Sequence, residues 1–217
     1  MSTRDTRWHT LAVLAVAQFM LILDVTIVNV ALPSIAAELA MSTAALPWVV
    51  SAYALTFGGL LILGGRLADR FGPTKMIFAG LAVFTLASAA AGLSGTAGTL
   101  LAARALQGLG AALLSPAALS LVSTMFEGRD RHRALGVWAA LGAVGVAVGV
   151  LVGGLLAGGP GWSWAFLINV PVGIIAAAGL VHWRPQLSPN SPHRTTGRPD
   201  VLGAIAITAT VGLLVYG

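Results

Sequence analysis

The sequence predicts an all-α membrane protein: a six-helix bundle followed by the start of a seventh helix. Three observations carry that expectation. Of 217 residues, 57% are hydrophobic and only 9% are charged, whereas about a quarter of a typical soluble domain is charged. Mean hydropathy is +0.90, and the 27 glycines lie mainly among apolar residues rather than in polar loops. A soluble chain of this composition could not cover its surface with polar groups, and a disordered one would be far more polar. Finally, apolar runs long enough to cross a hydrocarbon core of roughly 30 Å recur along the chain.

The first run covers residues 10–32 and includes Asp24. It is longer than the apolar stretch of a secretory signal and leads into further spans, so it reads as a membrane helix. Further runs follow at 46–64, 76–93, 99–125, 134–158, 164–183 and 201–217. The segment 184–200, with four prolines, is the longest linker and the best domain boundary. The expected organisation is therefore a six-helix bundle over 1–183, a cytoplasmic linker over 184–200, and the start of a seventh helix over 201–217. That last run ends at Gly217 without a polar tail, which points to an interrupted chain.

Basic residues set the orientation. Arg4 and Arg7 precede the first span, and Arg66, Arg70 and Lys75 separate the second from the third. Arg129, Arg131 and Arg133 separate the fourth from the fifth, and Arg184, Arg194 and Arg198 follow the sixth. The alternate loops carry no Lys or Arg, and the twelfth basic residue, Arg104, lies within the fourth span. The positive-inside rule places the N-terminus and the basic loops in the cytoplasm. The net charge of +5 is thus a topology signal and requires no nucleic acid. Trp48, Trp162 and Trp164 at outer span ends, and Trp8 and Trp183 at inner ends, are placed as an aromatic belt would place them.

Two charges fall at membrane depth. Asp24 stands about 21 Å above the start of its span, and Arg104 lies about 8 Å below the outer face, so the two share a depth. One reading is a structural ion pair that fixes helix packing, or an Arg104 that snorkels outward. The other is a titrating carboxylate: burial favours the neutral acid, Arg104 favours the charged form, and substrate or conformation tips the balance. Gln18, Thr26 and Asn29 on the same helix could line a wet path, or each could simply bond a neighbouring helix.

Several patterns resemble the major facilitator superfamily, in its fourteen-helix drug:proton antiporter branch. Residues 23–33, LDVTIVNVALP, look like that branch's first-helix motif. Residues 65–75, GRLADRFGPTK, resemble the superfamily's cytoplasmic gating motif, with Pro73 where a basic residue is usual. Arg104 with Gln107, Gly108, Gly110, Ala111 and Ala112 matches the buried-arginine motif of the fourth helix. Residues 162–173, WSWAFLINVPVG, resemble the entry to the sixth helix, with Ser163 in place of an arginine. Gly145, Gly149, Gly153 and Gly154 have the spacing of the antiporter motif, with Val150 at its usual proline. Residues 200–203, DVLG, look like the opening of the branch's extra helix.

The resemblance implies the amino-terminal half of a proton-coupled exporter of small amphipathic, often cationic, compounds. It implies a plasma-membrane location, two inverted three-helix repeats, and a carboxy-terminal half as partner. It assigns proton coupling and the substrate path to Asp24, Arg104, Asn29 and Gln107. The cytoplasmic gate falls to Gly65, Asp69, Arg70 and Gly72. The residues themselves leave two points open. Asp69 faces the negative end of its helix dipole and needs a stabilising partner, either Arg66 and Arg70 locally or, as the family implies, the N-terminus of another helix. The stripe Gly145, Gly149 and Gly153 is explained by close helix packing as well as by a role in antiport. Pro116 and Pro171 could kink the fourth and sixth helices.

Other classes fit less well. A retinal protein would need a lysine in its last span, but the only lysine is Lys75, in a loop. His9, His132, His182 and His193 lie at or beyond membrane ends, and no acid pair or serine–base pair shares a span, so no enzyme, cofactor or metal site is expected. The absence of cysteine excludes thiolate chemistry. A transporter of another solute without proton antiport stays open, as does a non-transporting packing or assembly protein.

Overall fold

The structure is a computed structural model that describes residues 3–182, with side chains from Thr6 onward. The linker at 184–200 and the expected seventh span at 201–217 lie outside the described residues. Seven helical segments follow in order: α1 (Thr3–Glu38), α2 (Trp48–Phe71), α3 (Pro73–Gly92), α4 (Ala97–Met125), α5 (Gly128–Gly158), α6 (Trp164–Leu167) and α7 (Asn169–His182). Together α6 and α7 form one span, so among the described residues six helices are long and apolar enough to cross a membrane.

The helices outrun the apolar stretches that predicted them. With 36 residues, α1 is about 54 Å long, well beyond the hydrocarbon core. Arg129, Arg131 and Arg133, expected in a loop, lie in the first turns of α5. Apolarity marks only the part of a helix that sits in lipid, whereas backbone hydrogen bonding continues into the polar flanks. The remaining connections are short. Gly72, with φ of 94°, is the single residue between α2 and α3. Its positive φ turns the chain, and Pro73 supplies a ready-made first helical residue. Thr96 caps α4, its hydroxyl accepting from the Thr99 amide at 3.2 Å.

The prolines act differently from one another. α1 runs through Pro33 and α4 through Pro116. The sixth span is interrupted at Ile168, between α6 and α7. Pro171 lacks the N–H that would bond the Leu167 carbonyl, and its ring crowds that carbonyl. The disruption falls on the turn before the proline, not on the proline itself.

Two helices organise the packing. α2 and α3 both lie along α4, α5 lies along α1, and the α6–α7 span packs against both α1 and α3. Glycine sets the closest approaches. A Cβ on Gly64 would run into the Ala112 carbonyl of α4, and one on Gly80 would lie 2.6 Å from the Gly110 carbonyl. On α5, Cβ atoms at Gly145, Gly149 and Gly153 would press against Ile22, Thr26 and Val30 of α1. Gly154 does not belong to that face: it is exposed, with open space where a Cβ would sit. One residue further on is about 100° around the helix, so Gly154 turns away from α1.

The apolar core has two parts. One gathers Leu11, Leu14, Leu21, Phe84, Leu114 and Leu121, and the other Ile27, Val28, Val49, Leu100, Trp162 and Phe166. Trp162 therefore departs from the expected aromatic belt: it is buried, with its ring edge-on to Phe166 at 6.1 Å. Large apolar side chains on the outside, such as Leu86, Leu151, Leu155 and Ile175, are exposed as a lipid-facing surface requires.

Candidate functional site: a buried polar layer around Asp24

Between the two apolar clusters lies a polar layer. On α1, Asp24 separates Leu21 from Ile27; on α4, Arg104 and Gln107 separate Ala103 from Ala111; on α3, Ser88 lies between Phe84 and Ala91. Asp24, Ser88, Arg104 and Gln107 are each 0% exposed. Charges buried this completely must be paired, because the desolvation cost of a lone one is several kcal/mol.

The pairing is specific. Arg104 Nη1 donates to Asp24 Oδ2 at 2.5 Å and to Gln107 Oε1 at 2.9 Å, and its Nε donates to the Val49 carbonyl at 2.9 Å. Gln107 Nε2 donates to Asp24 Oδ1 at 2.9 Å and to Ser88 Oγ at 2.6 Å. Asn169 Nδ2, at the start of α7, donates to the same Asp24 oxygen at 2.8 Å and to Ser88 Oγ at 3.0 Å. The guanidinium carbon lies 4.5 Å from the ring centroid of Tyr53 and 5.7 Å from that of Phe166. The two rings offer the guanidinium cation–π contact, while its Nη2 has no hydrogen-bond partner.

Three helices thus meet at the carboxylate, α1, α4 and α7, and α2 and α3 join the layer through the Val49 carbonyl and Ser88. The matched depth expected for Asp24 and Arg104 is realised as a direct ion pair, and Arg104 does not snorkel outward. Gln107 joins because it lies three residues from Arg104, on the same helix face. Asn29 does not: it is exposed and bonds the Val25 carbonyl of its own helix at 2.7 Å. Five residues from Asp24 is about 140° around the helix, so the two side chains point apart. Sequence reasoning assigned no role to Asn169 and Ser88. Asn169 carried a signal, as a lone amide in an apolar run. Ser88 carried none, since serine is ordinary in membrane helices.

Beside this layer, α1, α2 and α5 border an open cavity of about 380 Å³, lined by residues that include Gln18, Val25, Thr26, Tyr53, Phe57 and Val146. Its wall is apolar except for a few groups, and the buried Gln18 Oε1 has no hydrogen-bond partner. Tyr53 borders both the cavity and Arg104. Gln18 and Thr26 thus reach a shared space, whereas Asn29 does not line it.

At the opposite end of α2, Gly65 is half-buried, and Asp69 and Arg70 are exposed. Among the described residues Asp69 forms no ion pair with Arg66 or Arg70; the Arg70 guanidinium instead lies over the Phe71 ring at 5.5 Å. The local stabilisation of Asp69 is therefore absent. Among the described residues no cluster of His, Asp or Glu is arranged to hold a metal ion.

The architecture is that of a helical membrane bundle with an acid–base pair buried at its core. The chain belongs to the Major Facilitator Superfamily, whose sequence profile matches residues 14–215. It is 48% identical over 193 residues to the puromycin resistance protein pur8 of Streptomyces alboniger, covering 88% of this chain and 37% of that protein. It is 41% identical to the cephamycin export protein CmcT of Amycolatopsis lactamdurans, covering 100% of this chain and 44% of the relative. The methylenomycin A resistance protein of Bacillus subtilis (strain 168) is 42% identical, with 99% of this chain and 45% of the relative covered. The chain spans less than half the length of these relatives. Among solved structures, the peptide transporter POT in complex with sulfate shares the fold, with a TM-score of 0.76 at 20% identity over 95% of this chain and 44% of that one.

Proposed function

We propose that this chain is the amino-terminal half of a proton-coupled exporter of small amphipathic compounds in the plasma membrane. The observation that carries the reading is Asp24, fully buried against Arg104 in a polar layer to which five helices contribute, and next to an apolar cavity. A carboxylate so placed changes the electrostatics of the whole bundle when it gains a proton. A compound in the cavity touches Tyr53, whose ring bears on Arg104, so substrate and proton act on one pair. Proton entry from outside releases Arg104 from its counter-ion, and departure of substrate accompanies that step.

Export is supported by relatives named for resistance to, or export of, antibiotics. The pairing of α2 and α3 on α4, matched by α5 and α6–α7 on α1, supports two inverted three-helix repeats. In the complete protein, 1–183 forms one bundle, 184–200 the cytoplasmic linker and 201–217 the start of the next helix. A second bundle completes the path, because alternating access needs two bodies that rock about the site. Asp69, Arg70 and the Gly65–Gly72 turn serve the cytoplasmic gate, with Asp69 stabilised from that second bundle. Gly145, Gly149 and Gly153 act by packing α5 on α1.

The test is proton–dye exchange in inverted vesicles that carry the complete protein. Asp24→Asn keeps the side-chain volume and removes the titration, and exchange is expected to fall to background. Undiminished exchange by Asp24→Asn would sink the coupling role.

A further inference from the structure

We propose that Asn169 is a positioning residue that ties the protonation state of Asp24 to the break in the sixth span. The inference rests on Asp24 titrating, as proposed above, and adds the element that responds.

All three side chains that bond the carboxylate do so as donors: Arg104, Gln107 and Asn169 each present an N–H. This shell is complete for the charged carboxylate, whereas the neutral acid keeps one acceptor oxygen and must donate from the other, which is Oδ1, shared by Gln107 and Asn169, because Oδ2 faces Arg104. Arginine has no acceptor to offer. The oxygen of Gln107 is engaged by Arg104 at 2.9 Å, so turning that amide would leave part of a buried guanidinium unpaired. Asn169 is free of that constraint, because Arg104 does not engage its oxygen and its amide nitrogen bonds only Asp24 and Ser88. Protonation of Asp24 therefore turns or releases Asn169 first.

The position of Asn169 gives that release a consequence. It is the first residue of α7, next to Ile168, where the span is already interrupted and Pro171 withholds a backbone donor. Four residues on, Gly173 holds α7 tight against Thr85 of α3. The start of α7 thus has one soft end and one fixed end, and the Asn169 amide joins the soft end to α1. Charge at the carboxylate holds the junction closed, and its loss lets the junction open.

The groups facing Asp24 leave few rivals for such a response. α4 presents Arg104 and α2 presents Tyr53, while α3 and α7 present Ser88 and Asn169, which do not titrate. The other ionisable residues of α2, α3, α5 and α7 lie towards the helix ends: Arg66, Asp69, Arg70, Lys75, the Arg129–Arg133 stretch and His182.

These 217 residues contain no cysteine, so Ile168→Cys in the full-length protein in proteoliposomes, with any cysteine beyond them replaced by serine, gives a single reporter at the break. Its labelling rate is measured on the acidic and alkaline sides and divided by that of the denatured protein at the same pH, which cancels the thiolate fraction. The normalised rate is expected to change about fivefold with pH, the factor that one lost net hydrogen bond produces. Asn169→Ala and the similarly sized Asn169→Leu should both abolish the change, and having two variants guards against one that fails to fold. A pH response that persists in either folded variant overturns the inference, as does a reporter that never responds. Asp24→Asn separates the two ideas: if it also keeps the response, titration of Asp24 is refuted, whereas loss in Asp24→Asn with persistence in Asn169→Ala refutes only the role of Asn169.

Discussion

Arg104 contributes shape as well as charge to the polar layer. Its planar fork reaches the Val49 carbonyl, the Asp24 carboxylate and the Gln107 amide at once, while its face lies over Tyr53. A lysine keeps the charge but has neither the fork nor the stacking plane. Arg104→Lys is therefore expected to lose about 2 kcal/mol of stability, the scale of a hydrogen bond to a charged group. Thermal unfolding of the solubilised protein checks this, and an unchanged midpoint would mean that charge alone matters. The principal residues of the site were legible in the sequence, because an acid and a base inside apolar runs are conspicuous. Asn169 and Ser88 were not, because whether a small polar side chain meets Asp24 depends on how the helices cross. The misplacement of Asn29 has the same origin: sharing a helix with Asp24 does not mean sharing a face.

At the level of helices, glycine position decides how closely pairs approach. The stripe on α5 was visible from its four-residue period, and all three of its glycines, Gly145, Gly149 and Gly153, meet α1, whereas Gly154 does not. Gly64, Gly80, Gly108 and Gly110 pack α2 and α3 onto α4 just as tightly without forming a regular stripe of their own. Only the paired surfaces expose their role. Gly64→Ala forces a methyl into the Ala112 carbonyl, a backbone atom that cannot step aside, and should cost about 1–3 kcal/mol. Gly154→Ala meets open space and should stabilise its helix by about 0.5–1 kcal/mol. Unfolding midpoints of the two variants should move in opposite directions, and a matching loss in both would contradict the assigned faces.

For the whole molecule, the distribution of basic residues predicts which loops face the cytoplasm. Gly95, between α3 and α4, and Glu127, between α4 and α5, are both exposed and lie at opposite ends of α4. In intact cells, a membrane-impermeant thiol reagent should label Gly95→Cys and spare Glu127→Cys, which becomes reactive only after permeabilisation. The reverse pattern would invert the orientation. The same experiment bears on export, since the proposed direction of proton entry depends on which side of the bundle is outside.

The sequence by itself determined that this is a helical membrane protein, roughly where its spans lie, and that it carries a buried acid and base. Those properties follow from local composition and from the energy of placing each residue in hydrocarbon, so each run of residues announces its own place. The tertiary structure decided which side chains complete the shell of Asp24, where the sixth span breaks, and which glycines touch another helix. These depend on rotation about each helix axis and on crossings between residues up to 145 positions apart, as for Asp24 and Asn169. Hydropathy has no information about that rotation; packing fixes it.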